Sequence, residues 1–190
     1  MAAKSNLLNM ALCLTAVCLI CAALLGGVYA LTWQPIQDAS AKALKASIGM
    51  VLPEGGEISE AKTATLDGVQ YEYYENRVEG SVNAYAVKSA TNGFGGQLLL
   101  MVGVLEDGTV YNTSVLSHSE TPGLGAKCNQ DENFMAQWRG FSPDKKIAVR
   151  KDGGDVDAIT ASTITSRAYA LAVSNAVNVV KSLNHKEVSK

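Results

Sequence analysis

Asp157-Ala-Ile-Thr-Ala-Ser-Thr-Ile-Thr-Ser166, in one-letter code DAITASTITS, places five hydroxyl side chains in the seven positions from Thr160 to Ser166. It runs straight into a periodic segment in which Ile164, Ala168, Leu171, Ala172, Ala176, Val179, Val180 and Leu183 recur at spacings of three and four. That spacing predicts an amphipathic helix of about five turns with one apolar face. The hydroxyl cluster is then its N-terminus. One or two hydroxyls suffice to cap a helix, because a side-chain oxygen satisfies one of the N–H groups that the first turn leaves unpaired. Ordinary turn and cap chemistry explains part of the cluster. A helix start also offers free N–H donors and the positive end of its dipole, which is a natural seat for a phosphate.

Upstream of this helix the chain reads as a series of short β-prone pieces: Val69 to Tyr74, Ala84 to Ser89, Leu98 to Leu105 and Val110 to Leu116. Glu106-Asp107-Gly108-Thr109 joins the last two and carries the Asp-Gly pair that a tight hairpin needs. Asn92-Gly93-Phe94-Gly95-Gly96 is a second turn. Its glycines are read as turn residues and not as a phosphate loop, since no Lys-Ser/Thr follows and a strand rather than a helix comes next. Asp131 to Trp138 is expected as a short helix and Lys145 to Val149 as a further strand.

The N-terminal end is of another character. No Asp, Glu, Lys or Arg lies between Lys4 and Asp38, and Leu7 to Leu31 is almost wholly apolar. At about 1.5 Å per residue this stretch spans the roughly 30 Å of a bilayer's hydrocarbon core. Val28-Tyr29-Ala30 resembles a cleavage site, but the apolar run exceeds the 7 to 15 residues or so of a signal sequence, so a retained single-pass anchor is expected. Trp33 fits an interfacial aromatic. Lys4 precedes the helix while Lys42 and Lys45 follow it, so charge does not fix orientation. A short tail before a long domain is the arrangement of a signal anchor, and the C-terminal domain is expected outside the cytoplasm. Ile36 to Met50 reads as a short helix continuing from or near the membrane, stopped by Pro53 and Gly55-Gly56.

Composition bounds the function. The 190 residues are 47% hydrophobic and 18% charged, with a net charge of −2, which leaves no basic surplus for nucleic acid. All 18 acidic residues and all but one of the 16 basic residues follow Trp33, so the domain itself carries −3. Cys13, Cys18 and Cys21 sit in the apolar helix and read as soft apolar residues. Cys128 stands alone in the domain, which excludes an internal disulfide framework there and leaves a buried structural thiol as its reading. A Ser/His/Glu triad drawn from Ser117, His118, Ser119 and Glu120 lacks a nucleophile elbow. Asp152-Gly-Gly-Asp-Val-Asp157 lacks the bidentate Glu of a calcium loop and reads as a turn.

Two stretches together resemble a family. Asp157 to Thr163 resembles the flavinylation motif Asp-x-x-Ser/Thr-Gly-Ala-Thr of FMN-binding domains, and Glu120-Thr121-Pro122-Gly123-Leu124-Gly125 resembles their second signature loop. With the single N-terminal membrane helix, the Lys151 to Asp155 lead-in and the motif spacing, the chain is similar over nearly its whole length to the G subunit of the Rnf ion-translocating electron-transport complex. The resemblance implies an α+β fold: one transmembrane helix, then an FMN-binding domain with a mainly antiparallel sheet and flanking helices. It implies a cytoplasmic N-terminus at 1–6, the transmembrane helix at 7–32, a juxtamembrane helix and linker at 33–60, the domain at 61–184 and a polar tail at 185–190. It implies FMN esterified through its phosphate to Thr163, with Asp157 and Thr160 in positions recognised by a flavin transferase. Ser162 and Thr165 would surround the phosphate, and Glu120 to Gly125 would approach the flavin. The departures are Ala161 for the usual Gly and Ser162 for the usual Ala. Function by this resemblance is electron relay in a ferredoxin:NAD oxidoreductase of the bacterial inner membrane, among the other complex subunits and with little turnover alone. Two alternatives stand beside it. The C subunit of sodium-translocating NADH:quinone oxidoreductase is similar in both motifs but generally longer, and a membrane-anchored non-redox binding module would require a failed acceptor.

Overall fold

A computed structural model describes residues 7–188 of the chain. The first helix, α1, spans Leu7–Val51 and contains Pro35. It is the one helix among the described residues long and apolar enough to cross a membrane; its most apolar window has a mean hydropathy of 2.5 and none of that window is buried. The helix expected over Ile36 to Met50 continues from the apolar span as the C-terminal part of α1, and α1 stops before Pro53. The chain divides into two units between Ala43 and Leu44, so the second unit begins ahead of the boundary expected at 61. Ile48, Val51 and Leu52 are the physical reason: they are buried with Tyr74, Ala84, Ala86 and Met101.

Six strands form one antiparallel sheet: β1 (Glu57–Ile58), β2 (Lys62–Leu66), β3 (Val69–Val78), β4 (Ser81–Asn92), β5 (Gln97–Leu105) and β6 (Val110–His118). The order is β1-β3-β4-β5-β6, and β2 also pairs with β3. The four strand pieces expected from sequence are β3 to β6, and β1 and β2 are additions. Asp67-Gly68 and Glu79-Gly80 turn β2 into β3 and β3 into β4, all four residues at positive φ, as two-residue hairpin turns require. Asp107 fixes the β5–β6 turn by accepting from the backbone N–H and the hydroxyl of Thr109 at 2.8 and 3.0 Å.

The strand period of two explains why β4 and β5 bury both faces. Tyr85, Val87, Leu98, Leu100, Val102 and Val104 point to one core, while Ala84, Ala86 and Met101 point to the other. The larger core is closed by α3 (Thr163–Val188) and by the connection from β6, which carries the short helix α2 (Glu132–Ala136). Asp131 caps α2 by accepting from the N–H groups of Asn133 and Phe134. Trp138 stacks on Tyr169 at 5.2 Å between centroids, and the Tyr169 hydroxyl donates to Thr113 at 2.8 Å. Thr91 donates to the carbonyl of Ala168 at 2.9 Å. These contacts fix α3 across the sheet.

Two expectations are corrected. Lys145 to Val149 is not a strand: Val149 makes only an isolated bridge to Val156. Ile164 and Leu171, placed on the buried face of α3 by their spacing, are 51% and 55% exposed. Tyr169, Val173 and Val177 fill the core in their stead. The turn at Arg150–Asp152 is a short 3-10 segment, held to α3 by Arg167, whose guanidinium donates to both carboxylate oxygens of Asp152 at 2.7 and 2.8 Å. The expected cytoplasmic segment 1–6 lies outside the described residues, as do 189–190, and α3 continues to Val188 in the expected polar tail.

Candidate functional site

The approach to α3 is a loop locked at both ends. Gln137 grips the backbone of Asp157, accepting from its N–H at 2.8 Å and donating to its carbonyl at 3.1 Å. The Asp157 carboxylate turns outward to Arg150 at 2.6 Å, with both side chains largely in solvent. Ile159 is buried, and its N–H donates to the Ser166 hydroxyl at 2.9 Å, which in turn donates to the carbonyl of Ser162 at 3.0 Å. Between them Ala161 adopts φ +61°, the left-handed region that favours glycine. This gives the usual Gly at that place in the motif a physical cause.

Each of the five hydroxyls therefore has its own position. Ser166 ties the loop together. Thr165 is buried and donates to Glu120 Oε2 at 2.7 Å. Ser162 is buried, and its hydroxyl has no partner among the described residues. Thr163 is half-buried and is the first residue of α3. Thr160 is exposed and outside the cleft described next.

That cleft has a volume of about 350 Å³ and is lined by Ala161, Ser162, Thr163, Ile164 and Thr165 from the α3 start, by Glu120, Thr121, Leu124 and Gly125 from the loop after β6, and by Phe94 from the β4–β5 turn. Its size lies within the roughly 300 to 1,000 Å³ of small-molecule sites. The two motifs, distant in sequence, thus form facing walls. Asp157, Pro122 and Gly123 belong to the same segments but do not line the cleft. Phe94 is a cleft residue that the motifs do not contain. It stands 69% exposed at the tip of a turn closed by the Gly93 N–H donating to the Gly96 carbonyl at 2.8 Å. Three glycines around one aromatic are its only signal in the sequence.

Glu120 joins the three walls. It is buried; its Oε1 accepts from the N–H of Gly95 at 3.2 Å and its Oε2 from Thr165. A Cβ built on Gly93 would lie 1.9 Å from Oε1 and one on Gly125 2.2 Å from Oε2, so both glycines make room for this carboxylate. The backbone N–H of Glu120 donates to His118 Nδ1 at 3.2 Å, so this ring nitrogen serves the loop, and no hydrogen bond joins His118 to Ser117 or Ser119 among the described residues. Cys128 is fully buried behind this wall. Burial, with the charge of Glu120 second, pushes its thiol up to about 11, so it is a protonated packing residue at neutral pH.

The cleft lining is of two chemical kinds. Hydroxyls line it beside the start of α3, where helix geometry leaves the N–H groups of Thr163, Ile164 and Thr165 without acceptors one turn back. Phe94, Leu124 and Ile164, all substantially exposed, add apolar surface to the same lining.

Residues 93–178 match the family described as FMN-binding domain, a span that contains the entire cleft lining. The chain is 35% identical over 170 residues to the G subunit of the ion-translocating oxidoreductase complex of Vibrio cholerae serotype O1 (strain M66-2), covering 80% of this chain and 79% of that one. It is 35% identical over 111 residues to the G subunit of the proton-translocating ferredoxin:NAD(+) oxidoreductase complex of Clostridium ljungdahlii, covering 57% of this chain and 60% of the relative. The crystal structure of Shewanella oneidensis NqrC shares the fold, with a TM-score of 0.50 and 18% identity over 68% of this chain and 70% of that one.

Proposed function

The chain belongs to the family of G subunits of ion-translocating oxidoreductase complexes, and on that premise we propose that it relays electrons in a membrane-bound ferredoxin:NAD oxidoreductase of the Rnf type through FMN esterified to Thr163. One observation carries the assignment of Thr163: of the residues in its motif, it is the one that both begins α3 and lines the cleft with its side chain only half-buried. A phosphodiester there would meet the positive end of the helix dipole and N–H groups that have no acceptor within the helix. The rim of Phe94, Leu124 and Ile164 would receive the flavin ring.

FMN, when bound, supplies the electron-accepting and electron-donating ring. The chain supplies attachment, orientation and electrostatics. Attachment requires a flavin transferase, and Asp157 and Thr160, both exposed, are available to such an enzyme. The partners in turnover are the other subunits of the complex. The domain stands on the extracytoplasmic side of the bacterial inner membrane, with α1 as its anchor; a C-terminal phosphatase fusion, active only when exported, checks this, and an inactive but stable fusion would reverse it.

The attachment is tested by intact mass and in-gel flavin fluorescence of the full chain co-expressed with a flavin transferase. The expected result is an added mass of FMN less one water, mapped to Thr163 and absent from Thr163→Ala. An unmodified wild-type chain would overturn the covalent assignment and return the protein to a binding module.

A further inference from the structure

Glu120 is a buried carboxylate whose oxygens accept from one hydroxyl and one backbone N–H. No ion pair reaches it among the described residues. The titratable groups gathered near it, His118 through Nδ1 and Cys128 behind the wall, bring no cation into contact with it. Burying a carboxylate without a positive partner is costly, and here two glycines leave the space it occupies. A structural tie between Gly95 and Thr165 could be made by a neutral amide of the same length. The charge itself therefore calls for an explanation.

The cleft that Glu120 lines is the one to which the flavin has been assigned. Each electron that enters a flavin adds negative charge to it unless a proton follows. A fixed carboxylate in a poorly solvated wall opposes that charge, because like charges repel more strongly where water does not screen them. We propose that the Glu120 carboxylate, built into the cleft wall without a cation beside it, lowers the reduction potential of the bound flavin, with the Gly95 N–H and Thr165 hydroxyl as its positioning bonds. The inference rests on the proposed cofactor site and deepens it. It concerns regulation of the cofactor's electron affinity, not its attachment.

The test is spectroelectrochemical titration of the flavinylated full chain in detergent, with wild type, Glu120→Gln, Glu120→Met and Glu120→Asp compared at one pH. Flavin load is read separately by intact mass and folding by thermal unfolding. Removing the charge in the Gln or Met variant is expected to favour the reduced flavin by about tenfold per electron, about 59 mV in potential. The Asp variant keeps the charge but shortens its reach, so it should stay within about threefold of wild type. A merely structural carboxylate gives the opposite ranking, because Asp loses the two bonds that Gln can partly keep. Neutral variants within about threefold of wild type overturn the proposal. So does loss of flavin from both neutral variants while Asp loads normally, which would make Glu120 a maturation determinant. Wild-type protein that never acquires flavin overturns the cofactor assignment itself, a separate and earlier failure.

Discussion

Two carboxylates in this domain are equally buried and differently treated. Glu75, on β3, is 5% exposed and receives Lys62 Nζ at 2.6 Å and Arg77 at 2.7 Å, with the Ser59 hydroxyl accepting from its backbone N–H at 3.0 Å. Glu120, at the cleft, is 6% exposed and receives only neutral donors. The first arrangement is what a fold does with a charge it must bury: two cations offset the desolvation and every contact strengthens the sheet edge where β1 and β2 meet β3. The second leaves the charge uncompensated and faces it toward a cleft. Compensation marks Glu75 as a structural carboxylate, and its absence at Glu120 is the contrast on which the role proposed for Glu120 rests.

The sharpest way to break this contrast is to remove each charge and weigh the fold. Glu75→Ala leaves two cations and the β1–β3 edge without their shared partner and should cost about 2 to 3 kcal/mol, moderated because Lys62 and Arg77 are half-exposed. Glu120→Gln should cost no more than about 1 kcal/mol, since the amide can still accept one of the two bonds. Chemical denaturation of the full chain measures both, and equal losses would erase the distinction. Acid supplies a second reading of the same pair. Burial pushes the Glu75 carboxyl up, but its bonds to Lys62 and Arg77 outweigh this and hold it below the usual glutamate range. Its folded value lies under its unfolded one, so its stabilisation is present above about pH 4.3 and is lost as pH falls through the folded value. Glu75→Ala should flatten that part of the stability profile, and an unchanged acid limb would show that the pairing is not what holds the edge.

The two carboxylates also show where sequence reading ends. The long apolar helix, the β5–β6 hairpin and the start of α3 are legible because each is written in a local pattern: an uncharged run, an Asp-Gly turn, hydroxyls ahead of a 3.6-residue period. The place of Thr163 at that helix start is legible for the same reason. The contact of Thr165 with Glu120 spans 45 residues and that of Gly95 with Glu120 spans 25, and nothing local announces either. β2 is five residues long and gains its place by pairing with β3, not by propensity. Lys145 to Val149 has a strand's composition but no neighbouring strand to pair along its length. Ile164 and Leu171 obey the helical spacing and yet face outward, because the apolar face of α3 is set by which residues meet β4 and β5. For Ile164 the exposure has a use, since it lines the cleft.

The smallest effect tests the geometry that puts Thr163 at the cleft. Ala161 holds φ +61° without the excuse available to Asp67 and Glu79, each of which sits beside a glycine in a tight hairpin turn. A left-handed alanine costs about 1 to 2 kcal/mol, and glycine in its place gives back about 0.4 to 1 kcal/mol through the greater freedom of its unfolded chain. Ala161→Gly should therefore stabilise the domain by about 0.5 to 1 kcal/mol, visible as a small rise in Tm, with the proposed flavin loading of Thr163 unchanged because the backbone path is the same. A loss of stability would mean that the methyl group contributes packing in the cleft worth more than the strain it imposes. The β3 edge holds its charge at rest among cations. The cleft, by contrast, holds an unpaired carboxylate and a strained alanine within one wall of Thr163, and relieving the strain while leaving the charge in place separates what the cleft needs for its shape from what it needs for its field.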